Sequence, residues 1–302
     1  MAIPFGLSGL AVAWTLAQKD LGAWAWMGVL AWALAAAAWL YFSAAWLRGA
    51  LTAHRVLADL RHPLLGPFVA LVPVVAILLG GQSAHYVPAV GAGLVVAALV
   101  VIGIMSAWSL SAILAGTVDA HVFHSGYFLF ILAGGLIGAI GLAEIGALRA
   151  ATAAFAIGVF FWAVLAAVVV ARLAAGPAIA DAYVPTLAIF SVPPSVAGLG
   201  WFGIHGSQID WVQDTLLALT VFLVLSQGFL VHRYAKLPFS LGFWSFTFTA
   251  AAPVSYGMHW LAATTPPGWR IWSWVMLLAV TLWIVWIAVR SVPLLFGRGA
   301  RR

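Results

Sequence analysis

Ten long apolar segments, whose interiors contain no Asp, Glu, Lys or Arg, limit how this chain can fold. A helix needs about 20 apolar residues to cross roughly 30 Å of hydrocarbon. Membrane β-strands alternate apolar with polar residues, and these segments do not alternate. We therefore predict an all-α integral membrane protein with ten transmembrane helices. The segments are 4–18, 23–47, 64–81, 87–115, 126–143, 150–172, 183–204, 215–231, 239–260 and 271–290.

The composition excludes whole classes of function. Only 7% of the 302 residues are charged, 65% are hydrophobic and the mean hydropathy is +1.12, whereas a soluble domain carries about 25% charged residues. This excludes a soluble enzyme and a free nucleic-acid binder. The chain has no cysteine, which removes thiolate catalysis and Cys-ligated metals. With no nucleophile–base pair and no phosphate-binding glycine loop, we predict neither catalysis nor a cofactor.

Consecutive segments pair into five helical hairpins at a spacing of 50 to 60 residues, which indicates a repeated unit within a single transmembrane domain, 1–302. Proline and glycine recur in the first helix of each pair, and irregular backbone at membrane depth is tolerated only under protein cover or beside a cavity. We therefore predict that odd helices form an inner ring around a central pore and even helices face lipid. The hairpins are 4–47, 64–115, 126–172, 183–231 and 239–290.

The prolines and glycines of the odd helices are candidate pore-lining residues. An alternative is that both residue types are simply frequent in membrane helices. For the glycine-rich fifth segment, close helix packing is an equally good interpretation. The candidates are Gly6, Gly9, Pro73, Gly134, Gly135, Pro193, Pro194 and Pro253.

Basic residues are biased toward one side of the predicted topology. Loops after odd segments hold only Lys19, Arg149 and Arg270. The positive-inside rule therefore places both termini in the cytoplasm. The ten basic residues in loops after even segments and at the C-terminus are Arg48, Arg55, Arg61, Arg172, Arg233, Lys236, Arg290, Arg298, Arg301 and Arg302.

The absence of carboxylates from the segment interiors bears on mechanism. Carriers coupled to protons or sodium usually place Asp, Glu or His within their spans, so an ion-coupled cation carrier is disfavoured. An uncharged passage suits passive movement of a solute, and positively charged mouths attract anions.

Two polar motifs could bind a metal. His121 and His124 have a helical i,i+3 spacing, but Asp119 is the one acidic residue beside them, and we interpret them as an interfacial polar cluster. Asp210 and Asp214 resemble half of a paired-aspartate motif, and we interpret them as residues that solvate a turn. We predict no metal site.

Three stretches resemble the tellurite-resistance/C4-dicarboxylate transporter family, which includes plant slow-type anion channels. They are Ile3–Trp14, the run from His62-Pro63 to Pro73, and Gly242–Thr249 with its Trp-x-aromatic-Ser/Thr-Phe pattern. The resemblance extends to helix number and hairpin spacing. It implies a homotrimer in a bacterial inner membrane, with a pore in each protomer that a Phe on helix nine obstructs.

That Phe corresponds to Phe248. It shares a helical face with Ser245, Ala252 and Ser255, at offsets of three, four and seven residues, so a large ring among small residues can close a narrow passage. The sequence departs from the family pattern in two places: the fifth segment lacks a proline seen in some relatives, and Pro253 is additional.

We therefore predict an anion channel or channel-like transporter for small inorganic anions such as chloride or nitrate, with Phe248 as its gate. One alternative is a carrier or exporter of C4-dicarboxylates, sulfite or tellurite. Another is a ten-helix drug or metabolite exporter, a plan built from two inverted five-helix repeats.

Overall fold

The computed structural model describes residues 1–49 and 53–296, in which all regular structure is helical. Arg298, Arg301 and Arg302, which contribute to the predicted orientation, lie outside the described residues. The helices are α1 Ala2–Leu21, α2 Ala25–Gly49, α3 Ala53–Arg61, α4 Leu65–Val69, α5 Leu71–Ala84, α6 Pro88–Leu114, α7 Phe128–Glu144, α8 Leu148–Ala175, α9 Pro193–His205, α10 Trp211–Tyr234, α11 Ser245–Thr264 and α12 Trp269–Phe296.

Within these ranges, eight helical stretches are long and apolar enough to cross a bilayer, which confirms an all-α, multi-pass protein. The other two long helices, α1 and α11, have 20 residues each. Their sequences are more polar: the last turn of α1 contains Gln18, Lys19 and Asp20, and α11 carries Ser, Thr and His side chains. Ten spans therefore remain a prediction. The eight stretches are Ala25–Gly49, Leu65–Ala84, Pro88–Leu114, Ser125–Glu144, Leu148–Ala175, Asp181–His205, Trp211–Tyr234 and Trp269–Leu295.

The eight stretches fall into two groups by burial. Those that contain α5, α7 and α9 have 67–89% of their most apolar window buried. The corresponding share for α2, α6, α8, α10 and α12 is 11–28%. A helix that is apolar on all sides and mostly exposed suits a lipid environment, so the second group presents a lipid-facing surface.

The inner helices contact one another in a closed circuit. α1 packs on α5, α5 on α7, α7 on α9, α9 on α11, and α11 returns to α1. Each of them also packs against the long helix that follows it in the chain, namely α2, α6, α8, α10 or α12. The most buried helices are therefore enclosed by the most exposed ones.

Irregular backbone is concentrated at the N-terminal ends of inner helices. Short 3₁₀ helices, Ser125–Tyr127, Asp181–Ser191 and Leu241–Trp244, precede α7, α9 and α11. α4 and α5 are separated at Ala70, because Pro73 has no N–H to bond the Val69 carbonyl four residues earlier. Pro193 and Pro194 begin α9, where a missing N–H costs nothing.

The glycines of α7 allow close helix packing. A Cβ on Gly134 would lie 2.9 Å from the Ile102 side chain of α6, and a Cβ on Gly135 would lie 2.7 Å from the Gly158 Cα of α8. A side chain at either position would therefore meet a neighbouring helix, as the packing interpretation expects.

His124 joins three elements at the same end of the inner helices. Its Nδ1 accepts a hydrogen bond from the Gly126 N–H (3.0 Å) and lies 3.0 Å from Thr186 Oγ1. Its Nε2 lies 3.2 Å from the Pro63 carbonyl, to which it donates. Burial lowers the pKa of His124 to about 4, the Pro63 bond opposes this shift, and Arg172 lowers the pKa further. The folded state therefore holds a neutral ring.

Gly135→Val should destabilise the protein by about 1–3 kcal/mol, because the added side chain meets the α8 backbone, which cannot yield as a flexible side chain would. Thermal unfolding in detergent measures the loss. Gly93→Val is the matched control, since a Cβ on this α6 glycine meets nothing within 4 Å and the β-branched residue costs the same in both helices. Equal stability of the two variants would refute the close packing.

The stability of the wild type should fall as the pH is lowered from about 6.5 toward 4. Over this interval the unfolded chain takes up a proton at His124 that the folded state excludes, so neutral His124 stabilises the fold above about 6.5. His124→Asn should flatten this part of the pH profile of the unfolding temperature. Identical profiles for His124→Asn and wild type would contradict this assignment.

Candidate functional site

Phe248 lies between two cavities on the axis of the inner helices. The N-terminal cavity, about 40 Å³, lies near the N-terminal ends of these helices. The C-terminal cavity, about 180 Å³, lies near their C-terminal ends. Three side chains line both cavities and form the partition between them: Ile137, Val196 and Phe248.

α1 fixes the position of the Phe248 ring. The ring stacks on Phe5 with 3.7 Å between centroids and 14° between planes. On the same helix, a Cβ on Gly9 would lie 2.8 Å from Phe248 Cδ2, so only glycine leaves room for the ring. Phe248 is therefore buried without being locked by a polar contact.

The N-terminal cavity is almost wholly apolar. Phe5, Leu71 and Phe128 contribute to its wall, and Ser245 and Thr249 of α11 supply its hydroxyl groups. Among the described residues, Ser245 Oγ is buried and has no hydrogen-bond partner. It is therefore a donor that a small polar solute could use.

The C-terminal cavity is more polar. Lys19, Glu144, Ser255 and His259 line it, and Ser255 Oγ is likewise buried with no partner within the described residues. A hydroxyl, an ammonium group, a carboxylate and an imidazole therefore line a space large enough for small solutes.

A buried pair lies beside this cavity and includes the lining residue His259. His259 Nδ1 lies 2.7 Å from Asp20 Oδ2, and both side chains are less than a tenth exposed. The partners are 239 residues apart in sequence, so no local pattern predicts this contact. A second pair at the rim, His85 with Glu144 at 2.8 Å, is about half exposed.

The predicted site residues occupy several places. Ser245 and Pro193 line the N-terminal cavity, and Gly9, Ala252 and Ser255 line the C-terminal cavity. Gly6 packs against Thr247 of α11 and against Trp244 of the 3₁₀ helix that precedes it. Pro73 and Pro194 are buried at helix breaks, and Pro253 lies within α11.

His124 and Asp210, one residue from each of the two polar motifs, form hydrogen bonds within the fold. Within the described ranges no three His, Asp or Glu residues form a group that could bind a metal. Asp210 caps α10 by accepting from the Gln213 N–H, and it also accepts from the Trp201 indole, both at 2.9 Å. Burial alone would raise the pKa of Asp210, but these hydrogen bonds outweigh it and lower that pKa.

Comparison with known proteins decides the family. A family model described as SLAC1, voltage-dependent anion channel, matches residues 1–292. The chain belongs to this voltage-dependent anion channel family. The resemblance stated from the sequence is thereby confirmed.

The guard cell S-type anion channel SLAC1 of Arabidopsis thaliana is similar to part of the chain. The two are 28% identical over 115 residues, which is 38% of this chain. The match spans 20% of the length of that relative.

Asp20→Ala should destabilise the protein by about 1–3 kcal/mol, the cost of leaving the buried His259 N–H without a partner. Thermal unfolding of the detergent-solubilised protein checks this value. Glu144→Ala is the control: water can replace the exposed carboxylate at His85, and exposed pairs contribute about 0–1 kcal/mol. If both variants lose the same stability, the buried pair contributes no more to the free energy of unfolding than the exposed pair does.

Proposed function

We propose that the protein is an anion channel or channel-like transporter that passes small inorganic anions, such as chloride or nitrate, along the axis of its inner helices. The observation that carries the proposal is the position of Phe248, between two cavities enclosed by helices in a closed contact circuit. Phe248 is its gate.

Ten membrane spans follow if α1 and α11 also cross the bilayer. Each has 20 residues, which extend about 30 Å and match the hydrocarbon thickness. Their polar side chains need not contact lipid, because α1 and α11 pack on each other and line the cavities. The ten spans then form five hairpins around a pore, with the N-terminal cavity facing the cytoplasm by the bias of basic residues.

The partition opposes ion passage by dehydration. An ion that crosses Ile137, Val196 and Phe248 must shed water where no polar group replaces it, which is energetically costly. Rotation of the Phe248 side chain away from Phe5 would remove the largest obstacle. The C-terminal cavity beside it, about 180 Å³, offers space for the displaced ring.

Polar groups near the passage can interact with a permeating anion. The lining residue Glu144 is bonded to His85, and the lining residue His259 is bonded to Asp20. Lys19 adds a positive charge there. The hydroxyls of Ser245 and Ser255 can donate to an anion that has lost part of its water.

The family resemblance supports a homotrimer in a bacterial inner membrane, with one pore in each protomer. The exposed apolar faces of α2, α6, α8, α10 and α12 supply surface for both lipid and neighbouring protomers. Small anions and the bilayer are then the partners of each protomer.

A carrier of C4-dicarboxylates, sulfite or tellurite is the alternative within the same architecture. A closed partition with a cavity on each side also suits alternating access, and Lys19 could pair with an anionic substrate. An exporter built from two inverted halves is less well supported, because the inner helices contact one another in one continuous circuit.

Phe248→Ala should increase anion flux from reconstituted vesicles by at least about tenfold, since removal of about 1.4 kcal/mol from the barrier suffices. Chloride, nitrate, sulfite and malate are compared for wild type and variant. Phe246→Ala is the matched control: it removes the same ring from the same helix, where Phe246 packs on Phe243 and Tyr234 instead. A folded Phe248→Ala protein with wild-type flux would exclude the gate.

The same vesicles distinguish a channel from a carrier. Discrete single-channel openings would establish the channel mode, whereas flux that saturates and is accelerated by anion on the opposite side would establish exchange. Absence of flux for every anion in both proteins would reject the proposed function.

A further inference from the structure

A groove on the outer surface lies between α10 and α12. Its volume is about 770 Å³, and its floor is formed by the 3₁₀ helix Asp181–Ser191 and by α11. Val224 and Val231 belong to one wall and Trp283 and Trp286 to the other. All four are exposed, and α10 is the least buried of the candidate membrane spans, so the groove faces the surroundings of the helix bundle.

The polar groups at the centre of the groove already have hydrogen-bond partners within the protein. Its two central polar side chains bond to each other, since the Tyr234 hydroxyl donates to Gln227 Oε1. Gln227 Nε2 donates in turn to the Leu187 carbonyl at 3.2 Å. With these groups satisfied, the groove suits an apolar chain.

A positive charge stands at one end. The Arg290 guanidinium lies over the Phe239 ring (4.8 Å) and the Trp286 ring (5.3 Å). Stacking leaves the N–H groups at its edge available, and Arg290 forms no ion pair within residues 1–49 and 53–296. Arg233 and Lys236 follow at the same end of α10.

The position of Arg290 along α12 matches the depth of a lipid headgroup. Arg270 and Arg290 are twenty residues apart on this helix, a distance of about 30 Å at 1.5 Å per residue. This equals the hydrocarbon thickness of a bilayer, so the two arginines lie at its opposite faces. Arg290 is on the side that the loop charges assign to the cytoplasm, where membranes carry anionic lipids.

From this combination we infer that the groove is a binding site for an anionic phospholipid. One acyl chain lies along the floor of the groove, and the phosphate is held by Arg290. A guanidinium pairs with phosphate through two parallel N–H bonds, which gives the charge complementarity. The volume is in the range of roughly 300–1,000 Å³ typical of small-molecule sites, which is suited to a lipid chain rather than to a docked helix.

This site goes beyond the proposed anion pathway but touches the same helix. Phe246 and Thr249 of α11 form part of the groove floor, and Thr249 also lines the N-terminal cavity. A bound chain therefore contacts the helix that carries Phe248 from the side opposite to the passage.

Native mass spectrometry of the full chain tests the inference, with phosphatidylglycerol and phosphatidylcholine of identical acyl chains as probes. Wild type should bind phosphatidylglycerol at least about fivefold more tightly, because the choline ammonium of phosphatidylcholine offsets the charge of its phosphate and is repelled by Arg290. Arg290→Gln should remove this preference, because it removes the positive charge that distinguishes the two headgroups. Arg270→Gln is the matched control: Arg270 also stacks on a tryptophan, Trp269 at 5.2 Å, but lies away from the groove. Equal effects of the two variants would overturn the site.

A second variant tests the groove without altering charge. Gly228 lines it, and a Cβ there meets nothing within 4 Å, so Gly228→Leu should fill the groove, preserve the fold and weaken phosphatidylglycerol binding. Gly93→Leu, at an equally open position on α6, should leave binding unchanged. Unchanged phosphatidylglycerol binding by Gly228→Leu would overturn the inference. It would also be overturned if Gly228→Leu dissociated an oligomer while the wild type showed no preference between the two lipids. Binding is measured without an anion gradient, so its result is independent of flux.

Discussion

The contact between α1 and α11 closes the circuit of inner helices, and the arrangement around Phe248 depends on it. Gly6 leaves no side chain between α1 and Thr247, and Gly9 leaves room for the Phe248 ring. Phe5 then provides the flat surface on which that ring stacks at 3.7 Å. These contacts join helices that are more than 200 residues apart in sequence, and they set where the partition between the two cavities lies.

The irregular backbone of the inner helices is compatible with this packing because other helices cover it. A backbone group left without a partner in hydrocarbon costs several kcal/mol, so such breaks need protein cover at membrane depth. The break near Pro73 lies in a stretch that is 67% buried, and the 3₁₀ helix before α9 lies in one that is 72% buried. Side chains such as His124 supply some of the bonds that a regular helix would have made.

The general architecture could be predicted from the sequence because its signals are local. Hydropathy locates the spans, and Pro73, Pro193 and Pro194 distinguish buried helices from lipid-facing ones. Residue-level roles depend on helix rotation, which periodicity does not determine: Gly134 and Gly135 face α6 and α8. The Asp20–His259 bond connects distant residues, and no pattern in the chain pairs them. A sequence motif identifies Phe248, whereas its stacking on the distant residue Phe5 is visible only in the folded structure.

Low charge has a more specific meaning once the structure is considered. The sequence indicates that carboxylates are kept out of the helix interiors, and the structure adds that Glu144, which lines the C-terminal cavity, is bonded to His85, and that Asp20 is bonded to the lining residue His259. Each carboxylate thereby has a hydrogen-bond partner within the protein, which leaves fewer of its lone pairs for a cation in the cavity. In the proposed pathway an anion then meets Lys19 and neutral hydroxyls before an apolar barrier. Selectivity and gating are therefore assigned to different layers of the same passage, so a change at Phe248 can alter flux while the order of preference among anions is maintained.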